Sequence, residues 1–229
     1  VNSDVREIKS SEQDAQAIWI NNGAGPYLIT NNYLEASGEN IMSGGALTGI
    51  VGMVPADITI SGNTIRKPLE WMNQPWLVKN LFELKNAKRV IFSGNALSGS
   101  WLSGQVGFAI VLTPRGGYTS GWETVEDVLV ENNSIRNAGS GFNLLGINKE
   151  SGTSQREQRV TIRNNVAVLS SANFGGDGRC WMVGDGPVDV TIDHNTCLSD
   201  GSSAVYAYGE AAQGFVFTNN LMRHRYYGI

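Results

Sequence analysis

Seven times along this chain a short run rich in β-branched residues ends in asparagine. The copies read Tyr27-Leu-Ile-Thr-Asn-Asn32, Asp57-Ile-Thr-Ile-Ser-Gly-Asn63, Arg89-Val-Ile-Phe-Ser-Gly-Asn95 and Asp127-Val-Leu-Val-Glu-Asn-Asn133. They continue as Arg159-Val-Thr-Ile-Arg-Asn-Asn165, Asp189-Val-Thr-Ile-Asp-His-Asn195 and Gly214-Phe-Val-Phe-Thr-Asn-Asn220. Their final asparagines are 31, 32, 38, 32, 30 and 25 residues apart. Repetition at this period is the mark of a solenoid or propeller. Alternation within each copy, as in Val190 and Ile192 against Thr191 and Asp193, predicts a half-buried strand. The closing Gly-Asn, Asn-Asn or His-Asn pair predicts a turn, because Gly and Asn tolerate left-handed backbone angles.

A second strand follows a Gly/Ser-rich bend in each unit: Leu81–Leu84, Phe108–Leu112, Phe142–Leu145, Cys180–Val183 and Ala204–Tyr208. The repeat places a strand at Leu81–Leu84, against an amphipathic-helix reading of Trp76–Val90. Tight two-residue hairpin turns between adjacent strands are missing, which argues against a propeller or sandwich. Such a unit cannot bury its apolar face alone. Stacked as coils, each strand pairs with its counterpart about 4.8 Å away. The repeat asparagines then form a column bonded amide to amide, which accounts for 22 asparagines in 229 residues.

Composition agrees. Hydrophobic residues are 41% and charged residues 17%, which excludes a disordered chain. A net charge of −4 without a block of basic residues argues against nucleic acid or an anionic membrane as partner. The longest apolar run, Phe108–Leu112, is far too short to cross a bilayer. Cys180 and Cys197 are too few for a disulfide framework or zinc site, and are read as buried free thiols, with a single disulfide as the alternative. Trp71, Trp76, Trp101 and Trp122 fall in long bends, where they fold loops onto the coil body or serve as sugar platforms. Glu12–Ile18 is a weak cap, and Arg225–Ile229 reads as the start of another strand. Both ends look cut, so residues 1–229 are expected to be one domain within a longer chain, adjoining coils lying outside it.

The Val-x-Ile-x-x-Asn repeat with its Gly-rich bend resembles the right-handed parallel β-helix of the pectate-lyase-like superfamily, over roughly residues 15–229. Glu39-Asn-Ile-Met-Ser-Gly-Gly45, Lys79-Asn-Leu-Phe-Glu-Leu-Lys-Asn86 and Gly104-Gln-Val-Gly-Phe-Ala-Ile110 resemble bacterial β-helix repeat proteins without assigned activity. The resemblance implies an all-β solenoid of about seven coils. It also implies a secreted, cell-surface or periplasmic protein acting on polysaccharide as a lyase, hydrolase or epimerase. The alternative is a non-catalytic glycan-binding or adhesin-like β-helix. Such enzymes hold their polymer across one face of the coils.

Here the second strands offer that face. With Phe108, Ile110 and Leu112 inward, Ala109, Val111 and Thr113 point out. The face then carries Glu83, Lys85, Arg115, Asn143, Asp177, Arg179, Asp185, Tyr206, Tyr208 and Glu210. Acids, bases and aromatics together suit sugar recognition, although every solenoid has a solvated outer face. A lyase would use Lys85, Arg115 or Arg179 as base, with calcium held by Asp177 and Asp185 and assisted by Glu210. A hydrolase would need two carboxyls, Asp177 with Asp185 or Glu83 with a neighbour. Among the expected contacts, Glu83, Asn143, Tyr206, Tyr208 and Glu210 bind substrate. Ile192-Asp-His194 looks like the Ile-Asp-His of pectate lyases, but His194 fills the slot of Asn31, Gly62 and Gly94, so a turn is the simpler role. His224 is read as a surface or edge residue.

Overall fold

The computed structural model describes residues 1–116, 121–150, 152–223 and 225–229. His224 lies outside them. Among the described residues every strand pairing is parallel, and the strands form three sheets that the chain visits in rotation. Sheet I has eight strands, including Tyr33–Ala36, Thr64–Arg66, Ala96–Ser100, Ser134–Ala138, Val166–Leu169, Thr196–Leu198 and Leu221–Met222. Sheet II has seven: Ile18–Ile20, Ile41–Ser43, Phe82–Leu84, Phe108–Leu112, Ser140–Leu145, Trp181–Gly184 and Val205–Tyr208. Sheet III holds the repeat strands, also seven, from Tyr27–Thr30 to Val216–Thr218. Each strand is hydrogen-bonded to its counterpart one turn earlier and one turn later, so the molecule is a parallel β-helix.

The asparagine column is present. Each Oδ1 accepts from both the backbone N–H and the side-chain amide of the asparagine one coil before. The amide steps measure 2.9 Å from Asn32 to Asn63, 2.9 Å from Asn63 to Asn95, 3.1 Å from Asn95 to Asn133 and 2.9 Å from Asn133 to Asn165. They continue at 2.9 Å from Asn165 to Asn195 and 3.0 Å from Asn195 to Asn220. The residue before each is left-handed, with φ between 53° at His194 and 65° at Gly94. His194 therefore turns the chain, and Asp193 is held to it at 2.6 Å, to Thr218 at 2.7 Å and to Asn219 at 2.9 Å. Those three hydrogen bonds hold the Asp193 carboxyl down at about 2.

Inward residues stack in columns: Leu34, Ile65, Leu97, Ile135 and Ala167 from sheet I, and Phe82, Ile110, Phe142 and Trp181 from sheet II. At the entry to sheet II two successive residues face inside, Leu81 with Phe82, Ala109 with Ile110, Cys180 with Trp181 and Ala204 with Val205. Ala109, expected outside, is thus in the core, because the corner breaks strict alternation. Val111 and Thr113 do lie opposite the core side chains, yet both are buried, in a groove that Gln105 and Val106 also line. Trp71 and Trp101 pack with Val78 in a satellite cluster under the bends, as the loop-anchoring role requires. Residues 11–17 form no helix, and Ile18 opens a strand of sheet II. Beyond Arg225 a single bridge, Ser203 with Tyr227, stands where a strand was expected.

The free-thiol reading of the cysteines is corrected: Cys180 and Cys197 form a disulfide across the coil interior. The two are 17 residues apart in sequence, and part of one turn, from sheet II through sheet III to sheet I, brings their inward side chains together. Opening a loop of this length should cost about 3 kcal/mol. Denaturant unfolding with and without reductant checks it, and equal midpoints would count against the bond's role.

Sheet III carries a further column that the repeat did not foretell. Asp57, Arg89, Asp127, Arg159 and Asp189, one per coil, all have φ between 53° and 58°. They alternate in sign, and Arg89 forks onto Asp57 at 2.7 and 2.9 Å while Arg159 forks onto Asp127 at 2.6 and 3.1 Å. Alternation keeps like charges from stacking at strand spacing, although each exposed pair adds little stability.

Candidate functional site

The outer face of sheet II brings several of the expected residues together. Its register makes one outward column of Trp19, Met42, Glu83, Val111, Asn143, Met182 and Tyr206. Six steps of about 4.8 Å make it roughly 29 Å long. Near its middle lies a groove of about 290 Å³ lined by Glu83, Arg115, Asn143, Gln105, Val111 and Thr113. Among the described residues, Asn143 Oδ1 and Arg115 Nε are buried there without a hydrogen-bond partner. Unpartnered buried polar atoms are rare in folded proteins, and an acceptor beside a donor suits a hydroxyl-bearing ligand.

Glu83 is 2% exposed. Asn80 Nδ2 donates to it at 2.6 Å, and Lys85 Nζ stands 3.4 Å away. The fully buried Glu39 lies near enough to act on it electrostatically. Burial raises the Glu83 carboxyl to about 7, with Lys85 opposing and Glu39 reinforcing the rise. Burial also opposes ionisation of Glu39, but Lys79 and Lys85 outweigh it and hold that carboxyl below its usual range. The turn bearing Glu39 is fixed by Lys67, whose enclosed ammonium donates to Ala36 O, Gly38 O, Asn40 Oδ1 and Asn80 O. Sequence reasoning missed Glu39, although Glu39-Asn40-Ile41 and Lys79-Asn80-Leu81 repeat one frame with opposite charge. It also missed Trp19, 50% exposed at the head of the column.

Other expected residues gather nearer the last coils. Arg179 lies 3.9 Å over the Tyr206 ring and 3.0 Å from Asp177, and the Tyr206 and Tyr208 rings are 5.9 Å apart. Burial raises the Tyr208 phenol, and the charge of Asp185 adds to it. Arg115 reaches Glu150 at 3.7 Å. The expected calcium ligands are not assembled. Asp177 is spent on Arg179, and Glu210 is held by Lys149 and by Arg156 at 2.8 Å. No group of three His, Cys, Asp or Glu side chains among the described residues is placed to hold a metal.

No family model matches the chain, and no curated protein does. Among solved structures it is similar to the Streptococcus pneumoniae surface protein and adhesin PfbA, at 11% identity and a TM-score of 0.43, over 95% of this chain. The chain spans 65% of that protein's length. No helix among the described residues is long and apolar enough to cross a membrane.

Proposed function

We propose that this β-helix is a glycan-binding protein that takes an extended polysaccharide along the outer face of sheet II without cleaving it. The observation that carries this reading is the groove in which Asn143 Oδ1 and Arg115 Nε are buried and unpartnered, on a column with an aromatic ring at each end. Trp19 and Tyr206 offer flat faces to sugar rings, while Asn143 and Arg115 supply an acceptor and a donor between them. The Cys180–Cys197 disulfide fits an oxidising compartment such as the cell exterior. The repeat's resemblance to the pectate-lyase-like superfamily supports the fold, from which activity does not follow.

Hydrolysis is favoured by one feature, the Glu39–Glu83 pair, and disfavoured by its geometry. Glycosidase carboxyls stand about 5 Å or more apart so that the sugar or a water fits between them. Here Glu39 is fully buried and Glu83 nearly so, which leaves neither open to a polymer and a water together. For a lyase, Lys85 lies against Glu83, and Arg179 is committed to Asp177 and the Tyr206 ring.

The test is binding to a panel of neutral and uronate polysaccharides, with reducing ends and unsaturated product followed in parallel. Binding without product is expected. Asn143→Ala and Arg115→Ala should each weaken it about tenfold. Product release would move the assignment to an enzyme, and binding unchanged in both variants would remove the groove from it.

A further inference from the structure

The outer face of sheet I carries a second set of cavities with chemistry unlike that of sheet II. Its register places Glu35, Arg66, Ser98, Arg136, Val168 and Leu198 in one outward column. Arg223 continues it, since its N–H bonds Cys197 O just past the Thr196–Leu221 and Cys197–Met222 pairs. All three arginines occupy one repeat position, three residues after Asn63, Asn133 and Asn220. They stand two and three coils apart, about 10 and 14 Å.

Three cavities line up along this face, and each is walled by one of these arginines. A cavity of about 500 Å³ touches Arg66 and Arg136, one of about 430 Å³ touches Arg136, and one of about 400 Å³ touches Arg223. The bends carrying Leu69–Trp71 and Ser171–Phe174 rim the first two.

No acid among the described residues of this face pairs with Arg136 or Arg223. Glu35 is buried, accepts from Tyr33 Oη at 2.7 Å and meets Arg66 only at 3.7 Å. Asp200 is consumed by the hydroxyls of Ser170 and Ser171 and the N–H groups of Ser171 and Ala172. Glu70 stands at the rim of the first cavity. Among the described residues, Arg136 and Arg223 make no ion pair. On sheet III, by contrast, Arg89, Arg159 and Arg163 each meet a carboxylate within 2.6 to 2.8 Å. The same repeat that neutralises its arginines on one face leaves Arg136 and Arg223 without a carboxylate on another, in a protein of net charge −4.

We propose that the outer face of sheet I binds a linear polyanion bearing sulfate or phosphate groups, gripped by Arg66, Arg136 and Arg223. The guanidinium fork matches tetrahedral oxyanions, and Thr64, Ser98 and Ser134 add hydroxyl donors beside it. Three cavities in a row along the coil axis suit a polymer rather than a single small anion. Val168 and Leu198, 46% and 41% exposed between Arg136 and Arg223, give its apolar stretches a surface to lie on.

The test measures binding of the full chain to heparin, to inorganic polyphosphate and to neutral dextran at low salt. Binding to heparin, polyphosphate or both, but not to dextran, is expected, with affinity falling steeply as salt rises. Binding to one of the two polyanions alone identifies the oxyanion, sulfate or phosphate. Arg136→Gln should weaken binding about tenfold, and the triple variant with Arg66→Gln and Arg223→Gln about a hundredfold or more. Arg163→Gln on sheet III should leave it unchanged. Failure of the protein to bind either polyanion would overturn the assignment, as would equal binding by the folded triple variant or an equal loss in Arg163→Gln. Should the triple variant fail a circular-dichroism check of folding, Arg136→Gln decides, because that side chain is exposed and unpaired.

Discussion

Asn165→Ala should lower the unfolding free energy by about 3 kcal/mol, read as a shifted urea midpoint with an unchanged slope. Asn165 is 1% exposed, and its amide donates to Asn195 Oδ1, Val130 O and Arg163 O. Its Oδ1 takes both the N–H and the side-chain amide of Asn133. Truncation leaves the Asn133 N–H buried without a partner and takes one partner each from the Asn133 amide and the Val130 carbonyl, which costs more than the lost bonds themselves. Asn165→Asp should be at least as harmful, since a carboxylate cannot donate up and down the column. Midpoints within noise of the parent for both variants would show that the column decorates the fold rather than holding it.

Glu157→Met should have the opposite sign, stabilising the protein at pH 7 by about 2 kcal/mol. Glu157 is fully buried and precedes Gln158, in the row of Val125 and Ala87 of the core. Neither carboxyl oxygen has a hydrogen-bond partner among the described residues. Burial pushes this carboxyl well above the usual range, opposed only in part by the Leu145 backbone. A carboxyl raised on folding stabilises fully below its unfolded value near 4.5, and that contribution is lost as pH rises toward the folded value. The gap between variant and parent should therefore narrow when unfolding is measured at pH 4. A destabilised variant, or a gap indifferent to pH, would assign Glu157 a partner that its surroundings do not supply.

What the sequence displays and what it hides follow one division. Features repeated in every coil are legible: the strand before each asparagine, the left-handed turn residue, the asparagine column and the second strand at Leu81–Leu84. Features that need two particular residues to meet, across a coil or between coils, are not. Cys180 with Cys197, Glu39 with Glu83 and Arg179 with Tyr206 each depend on winding that linear spacing does not show. The alternation rule failed at Ala109 because it ignores corners, where two successive residues face inside. The Arg66, Arg136 and Arg223 stripe is a middle case. Its repeat position was readable, but its charge is diluted over the chain and becomes a patch only when the coils are stacked.

The sign alternation of Asp57, Arg89, Asp127, Arg159 and Asp189 bears on how such a chain changes length. Excising one whole turn from the middle would set two acids or two bases against each other, whereas excising two neighbouring turns would restore the pattern. Viable shortened or lengthened descendants should therefore differ from this protein by an even number of turns within that span, or carry a compensating reversal of charge at the junction.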